Sequence, residues 1–310
     1  MLTSVRPRPS YRPFRATVKT VRQLSPSFVR VTFTGPDLGD FGNDGFDQRV
    51  KVLVPHADGS FGDCGLDDPE VIADGSWYVR WRSLPERERN PIRTYTIRAV
   101  RQHLAEVDID FVAHGDTGPA SAWAGACAVG EELVLVGPDA GSASSRAGLV
   151  WNPGAATSLL LVGDETAVPA VSAILESLPS GIEAHAILEV PYADDALPLR
   201  IGSGVTIDWL PRGRGAVGSR LDPAVRGWLA GHLDAAARAV AREELTDIDV
   251  DTTLLWEAPS EPPTDSLYAW LAGEAGVIKD LRRFLVRDCR LDRRRVAFMG
   301  YWRDGKSEDN

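Results

Sequence analysis

Cysteine is scarce in this chain. Three residues, Cys64, Cys127 and Cys289, are spread over 310 positions with no C-x-x-C pair. That spacing signals neither a disulfide framework nor a zinc or iron–sulfur site, and it fits a reducing compartment. The tail "GYWRDGKSEDN" has no cysteine, so a C-terminal cluster is not expected either. Basic surplus is also missing. The formal net charge is −10, which argues against a nucleic-acid partner because phosphate binding needs a broad basic surface. No apolar run is long enough to span a bilayer. The basic start, "MLTSVRPRPSYRPFRATVKT", lacks the apolar segment of a signal peptide. A cytoplasmic protein without stable membrane insertion is expected. What remains is ordinary globular composition, 44% hydrophobic and 25% charged, in a chain long enough for two domains.

The texture changes part-way along. Up to about residue 137 the pattern is one of short strands. "FVRVTFTG" (Phe28 to Gly35) alternates Val29, Val31 and Phe33 against Arg30, Thr32 and Thr34, the period of a half-buried strand. Val50–Pro55, Ser76–Ser83, Thr94–Val100, Glu106–Ala113 and Glu131–Gly137 follow. Six such strands predict a small antiparallel β-barrel over residues 1–140. Pro138 to Ser158 is rich in Gly, Ala and Ser and reads as a connection. Residues 155–310 then alternate strand and helix, which predicts an α/β domain with a largely parallel sheet. Its first strand ends at Gly163 and a helix runs from about Val168 to Leu178. In the final helix, "GVIKDLRRFLVRDC", Val277, Leu281 and Phe284/Leu285 form the expected buried stripe, with Lys279, Arg282 and Arg283 outward.

The stretch "RTYTIRAV" (Arg93 to Val100) carries the chemistry. On a strand, Arg93, Tyr95 and Ile97 point one way and Thr94, Thr96 and Arg98 the other. An aromatic ring two residues from an arginine can stack on a flat ligand while the guanidinium takes a phosphate. A flavin nucleotide has that shape, and Thr96 could offer its hydroxyl or N–H to the ring edge. The alternative is a plain barrel strand with surface arginines and a core tyrosine. "FVAHGDTGPASAWA" (Phe111 to Ala124) ends a strand and turns into a short helix. Gly115 and Gly118 allow close backbone approach, and Ser121 falls in the helix's first turn, where free N–H groups suit a pyrophosphate. His114 reads equally as a ligand contact or a structural histidine.

"RTYTIR", "DFVAHGDTGPASAWA", "VGDETAVPAV", "WLAGEAGVIKDLRRFL" and "GYWRDG" occur in an order and spacing that resemble the siderophore-interacting protein family. Its members are FAD-dependent ferric-siderophore reductases related in fold to ferredoxin–NADP reductases. The resemblance runs from about Phe14 to Gly305. It implies that Arg93, Tyr95, Thr96 and Arg98 bind FAD, with Tyr95 against the isoalloxazine. It further implies that His114, Gly115, Gly118, Ala120, Ser121 and Trp123 line the rest of the cofactor. "VGDETAVP" would be the nicotinamide-nucleotide turn, with Gly163 at the sheet edge, Asp164 beside it and Thr166 opening a helix. One glycine and two acids there depart from the three-glycine dinucleotide fingerprint, which suits a transiently bound co-substrate. By the same resemblance Gly273 and Glu274 lie near the nicotinamide. Lys51 and Lys279 stand where the family carries basic residues, a lip for an anionic ferric siderophore. Arg212 and Arg214 could meet a 2′-phosphate or form a solvated loop, so NADPH and NADH both stay open.

The implied activity is NAD(P)H-dependent, FAD-mediated reduction of an imported ferric siderophore with release of Fe(II). It requires no resident metal and no proton-transfer residue, and none is assigned. Two alternatives stand beside it. One is a general NAD(P)H:flavin oxidoreductase serving a protein acceptor. The other is a non-catalytic ferric-siderophore binding protein whose "RTYTIR" strand holds the chelate itself.

Overall fold

The computed structural model describes residues 8–113, 118–232, 255–259 and 267–305. The chain divides into two compact units that part between Leu149 and Val150. In the first, six strands close a barrel: β1 (Tyr11–Ser25), β2 (Phe28–Thr34), β3 (Arg49–Leu53), β4 (Ile92–Arg101), β5 (Glu106–Val112) and β6 (Glu132–Pro138), in the order β1-β2-β5-β4-β3-β6. The five pairings whose register is defined are all antiparallel. Alternation fills the interior. Phe14, Ala16 and Val18 from β1, Val31 and Phe33 from β2, and Val107, Ile109 and Phe111 from β5 share one buried cluster. Truncating a side chain such as Phe33 there would cost about 3–5 kcal/mol.

The barrel differs from the sequence expectation in two strands. Ser76–Ser83 is not a strand: Trp77–Ser83 is a helix, α2, preceded by α1 (Pro69–Asp74). Residues i and i+4 share a face in both periods, so Trp77 and Trp81 satisfy either. The arbiter is Val79, which a strand would bury with them and which is 66% exposed. Both tryptophans pack on Leu53, Ile92 and Val136, and the Trp81 indole donates to Asn90 O at 3.0 Å. The sixth strand is instead β1. Its outward Arg15 and Lys19, and Arg12 over the Phe14 ring at the strand's start, hide the alternation, and each meets an acid, Asp67, Glu106 and Asp139 respectively.

The second unit is a six-stranded sheet. Its strands are β7 (Ser158–Gly163), β8 (Glu183–Val190), β9 (Val205–Pro211), β10 (Trp256–Glu257), β11 (Leu267–Glu274) and β12 (Val296–Trp302), ordered β10-β12-β11-β7-β8-β9. Five run parallel, and β10 pairs antiparallel with β12 at one edge. Buried on both faces, β7 reads as the near-continuous run Leu159–Val162, as a central parallel strand should. Helices α4 (Val168–Glu176), α5 (Leu221–Gly231) and α6 (Ala275–Arg282) cover it, following α3 (Pro119–Ala126) of the barrel unit. The final helix corrects one expectation. Arg282 faces inward, 3% exposed, because Glu257 on β10 receives it through Nε and Nη2 at 2.7 and 2.8 Å. The core stripe is Ile278, Leu281 and Leu285, with Val277 and Phe284 at its margin. A π-turn over Arg283–Asp288 follows and rotates the stripe. No described helix is long and apolar enough to cross a membrane.

Candidate functional site

In the barrel, register decides which way "RTYTIR" points. Arg93 and Tyr95 on β4 pair with Val52 and Val50 of β3, both core residues. Directly opposed residues of an antiparallel pair share a face, so Arg93 and Tyr95 take the inner one. Tyr95 is half-buried, its ring 4.6 Å from that of Phe111. Arg93 is half-buried and donates from Nη1 to Ile92 O at 2.8 Å. The outer face carries Thr94 and Thr96, opposite Lys51 and Arg49. Thr96 is buried, whereas Lys51 is exposed with Nζ 3.3 Å from Thr94 Oγ1.

Arg98 sits at a β-bulge, where the β4–β5 register slips between Ile97 and Ala99. A bulge leaves its extra residue unpaired and re-aims the side chain. Arg98 Nε thereby lies 3.6 Å from Asp110 Oδ2, on a carboxylate that also takes Nε and Nη2 of Arg30 at 2.6 and 2.7 Å. After Val112 the chain reaches Gly118, the N-cap of α3, which has no side-chain cap. The first N–H groups of a helix lack intrahelical acceptors. Ala120 is buried in the core cluster, and Ser121 Oγ donates to Val112 O at 3.1 Å. Trp123 stacks near-parallel on Phe33 with centroids 6.2 Å apart. Its Nε1 is buried without an acceptor. His114 and Gly115 lie outside the described residues.

These residues fit a flavin nucleotide. Tyr95 offers a half-exposed aromatic face beside the Arg93 guanidinium, while the uncapped N–H groups of α3 and the orphaned Trp123 indole N–H add donors; Arg98 lies apart on Asp110. That chemistry matches a flat ring rich in acceptors joined to an anionic tail. Arg93, Tyr95, Thr96, Arg98 and the start of α3 are the residues that would hold it.

In the sheet unit, the turn after β7 is built around a buried acid. Gly163 ends β7, and a Cβ there would fall 2.4 Å from Ala167 Cβ and 2.8 Å from Ala272 O. Asp164 follows, with both oxygens doubly occupied. Oδ1 accepts from Thr166 N (2.9 Å) and Thr166 Oγ1 (2.5 Å). Oδ2 accepts from Glu274 N and from Trp302 Nε1, both at 2.7 Å. Burial, and then the neighbouring Glu165, push its carboxyl up to about 6. Thr166 is thus an Asx-turn partner of Asp164, and α4 itself starts two residues later at Val168.

Gly273 adopts φ +151°, and a Cβ on it would meet Asp164 Oδ2 at 2.7 Å. Glu274 caps α6, accepting from Val277 N at 2.8 Å, and Lys279 is half-buried on that helix. Arg212 is bound inward to Glu165 at 2.6 and 2.5 Å, which removes it as a ready partner for a 2′-phosphate. Arg214 is exposed. Sequence reasoning had no role for Asp110 or Trp302, and used Glu165 only as one of the two acids that depart from the dinucleotide fingerprint. "GYWRDG" marked the place of Trp302 without a function. Among the described residues no cluster of three or more His, Cys, Asp or Glu side chains could hold a metal.

Comparison with known proteins agrees with both halves. Residues 17–142 match the siderophore-interacting FAD-binding domain and residues 156–305 match the siderophore-interacting protein model. The ferric vibriobactin reductase of Vibrio cholerae is 30% identical over 93% of this chain and 88% of its own length. The chain belongs to the siderophore-interacting protein family. The NADPH-dependent ferric-chelate reductase of Escherichia coli K12 is 29% identical across 92% of this chain and 91% of that protein. Among solved structures, the siderophore-interacting protein SipS of Aeromonas hydrophila superposes with TM-score 0.64 at 30% identity, over 97% of this chain and 95% of that one. A ferredoxin reductase of carbazole 1,9a-dioxygenase, 13% identical with TM-score 0.57 over 94% of this chain and 70% of that one, shares the fold alone. The barrel followed by a parallel-sheet unit is therefore the ferredoxin reductase arrangement, and FAD is the cofactor that the family's barrel is described as binding.

Proposed function

We propose that this chain is an NAD(P)H-dependent ferric-siderophore reductase of the cytoplasm. It would carry FAD in its barrel and release Fe(II) from an imported ferric chelate. The observation that carries the reading is the inner face of β4. Arg93 and Tyr95 are set side by side by their Val52 and Val50 partners, in a barrel matched by the family's FAD-binding model. When bound there, FAD supplies the conversion of a two-electron hydride into the single electrons that Fe(III) accepts.

The protein's own contribution is holding and orienting. Arg93 and Arg98 offer guanidiniums to an anionic tail, with Arg98 braced by Asp110. Tyr95 offers a ring face whose tilt is fixed by Phe111. The N–H groups at the start of α3 offer donors for phosphate oxygens. In the sheet unit, Gly163 and Gly273 leave room for Ala167, Ala272 O and the Asp164 carboxylate to pack closely at the carboxyl edge, the edge at which such sheets take nucleotides. Lys51 and Lys279 supply positive charge for an anionic chelate in a chain that is otherwise acidic. The balance is one NAD(P)H and two Fe(III) chelates giving NAD(P)⁺, a proton and two Fe(II). Hard oxygen donors hold Fe(II) far more weakly than Fe(III), so the metal leaves without a protein ligand.

The test is anaerobic spectroscopy of the purified protein. A flavin spectrum should bleach on adding NADPH or NADH and return on adding a ferric siderophore, with about two Fe(II) trapped by a chromogenic chelator per nucleotide. A protein that binds no FAD, or a bleached flavin that ferric chelates leave bleached, overturns the proposal.

A further inference from the structure

The sequence suggests a ligand contact for Asp164, but its environment points elsewhere. The residue is 1% exposed, and its four acceptor positions are filled by Thr166 N, Thr166 Oγ1, Glu274 N and Trp302 Nε1. We propose that Asp164 is a positioning residue. It fixes the Gly273–Glu274 corner as a backbone seat for the nicotinamide of NAD(P)H without itself touching the nucleotide. The proposal rests on the reading of this unit as the NAD(P)H domain.

Three strand ends converge on this carboxylate: β7 through its own backbone, β11 through Glu274 N, and β12 through the Trp302 indole. The corner takes its shape from that convergence. Gly273 stands at φ +151°, where side chains are strained, and a Cβ would collide with Asp164 Oδ2 at 2.7 Å. Carboxylate and glycine are therefore one device: the acid sits where a side chain would otherwise be, and the nucleotide-facing surface is left as bare backbone. The next residue, Glu274, turns its carboxylate away to Val277 N and starts α6. Position thus passes from Asp164 to the corner and on to the helix bearing Lys279.

Asparagine is nearly the same size but offers one acceptor oxygen in place of two. Its NH₂ would face two of the four donors, so the corner must shift. Hydride transfer is steep in geometry, and a misplacement of about 1 Å costs on the order of 100-fold.

The experiment uses the full chain loaded with FAD and separates the two half-reactions. In Asp164→Asn, bleaching of the flavin by saturating NADPH or NADH should slow by about 10–100-fold. Trp302→Phe, which removes one donor, should slow it by about 3–10-fold. Reoxidation of photochemically reduced flavin by ferric citrate should stay within about twofold of wild type in both, since it does not use the corner. Independently of turnover, the Trp302 indole N–H resonance, assigned by its loss in Trp302→Phe, should move in Asp164→Asn. Bleaching at the wild-type rate in Asp164→Asn, or equal slowing of both half-reactions, overturns the positioning role. If Asp164→Asn does not fold, wild-type bleaching in Trp302→Phe overturns it. A wild-type flavin that neither nucleotide bleaches overturns the parent reading and this role with it.

Discussion

The barrel and the sheet unit both bury acids, and the barrel's acids on β5 are held differently from Asp164 at the sheet edge. On the outer face of β5, Glu106, Asp108 and Asp110 alternate along the strand, all under 10% exposed. Each meets cations from neighbouring strands: Lys19 and Arg101 at Glu106, Arg101 at Asp108, Arg30 and Arg98 at Asp110. At the sheet edge, Glu189 takes three backbone N–H groups, from Gly218, Arg220 and Leu221, at the start of α5, with Arg212 Nη1 3.8 Å away, and Asp164 takes all four of its hydrogen bonds from neutral donors. The consequence is a difference of sign. Hydrogen bonds from Lys19 and then Arg101 hold Glu106 below its ordinary range. Burial opposes the same shift at Asp108, but Arg101 and Thr32 overcome it. At Asp164 burial wins, helped by Glu165. Full charges lower an acid's pKa; a shell of neutral donors in a dry site does not suffice to.

The largest break in that comparison comes from Arg212, which binds the buried Glu165 at the sheet edge. Glu165 is 0% exposed and Arg212 11%, so Arg212→Ala strands a buried carboxylate. The expected loss is about 3–5 kcal/mol, read from the denaturation midpoint. Arg101→Ala on the barrel should cost clearly less, because Arg101 is 32% exposed and water can replace it. Equal losses would mean that exposure does not separate the two units.

Acid sharpens the contrast. Asp164 has its folded pKa raised from 3.8 to about 6, so the native state holds the extra proton. Stability from this group is full below 3.8 and falls as pH rises towards 6, then stays flat; the bound is about 3 kcal/mol at 1.4 kcal/mol per unit. Glu106 and Asp108 are lowered, so their contribution is present above the unfolded values and is lost as pH falls through the folded ones. Between pH 4 and 6, Asp164→Asn should therefore flatten a downward slope of stability with pH. A slope unchanged by the substitution would place the titration elsewhere.

A third substitution separates cofactor from fold. Arg93→Ala should weaken FAD by about 10–100-fold, the worth of one charge-assisted contact of 1.5–3 kcal/mol, while the barrel's melting temperature moves little. A fully yellow, active variant would remove Arg93 from the cofactor site.

How much of this was legible depends on where the partners lie. The strand–helix texture and the inner face of "RTYTIR" follow from local alternation, and Val50 and Val52 merely supply the partners that the pattern demands. The bulge at Arg98 is a property of the β4–β5 register, which no single strand encodes. Ser76–Ser83 failed because two tryptophans four apart satisfy both periods. β1 failed because Arg15 and Lys19 interleave with Phe14, Ala16 and Val18, and Arg12 puts a charge on the inner face beside Phe14. "VGDETAVP" announced a strand, a turn and a helix. The donors that give Asp164 its character come from Glu274 and Trp302, 110 and 138 residues away. Sequence proximity shows the turn; only the folded sheet edge shows what the turn is tied to.

The smallest expected effect compares one lysine from each unit. Lys51 is exposed on β3 beside Thr94, and Lys279 is half-buried on α6. If both attract an anionic chelate through charge, Lys51→Ala and Lys279→Ala should each raise KM for the ferric siderophore by about fivefold, near 1 kcal/mol, with kcat unchanged. Salt discriminates between them. An exposed ammonium is screened over a Debye length of about 8 Å at physiological ionic strength, and a partly buried one less so. Raising salt should therefore erase the Lys51 effect before the Lys279 effect. A fall in kcat with unchanged KM would instead assign these lysines to electron transfer geometry, and salt-independence in both would remove simple charge attraction as their role.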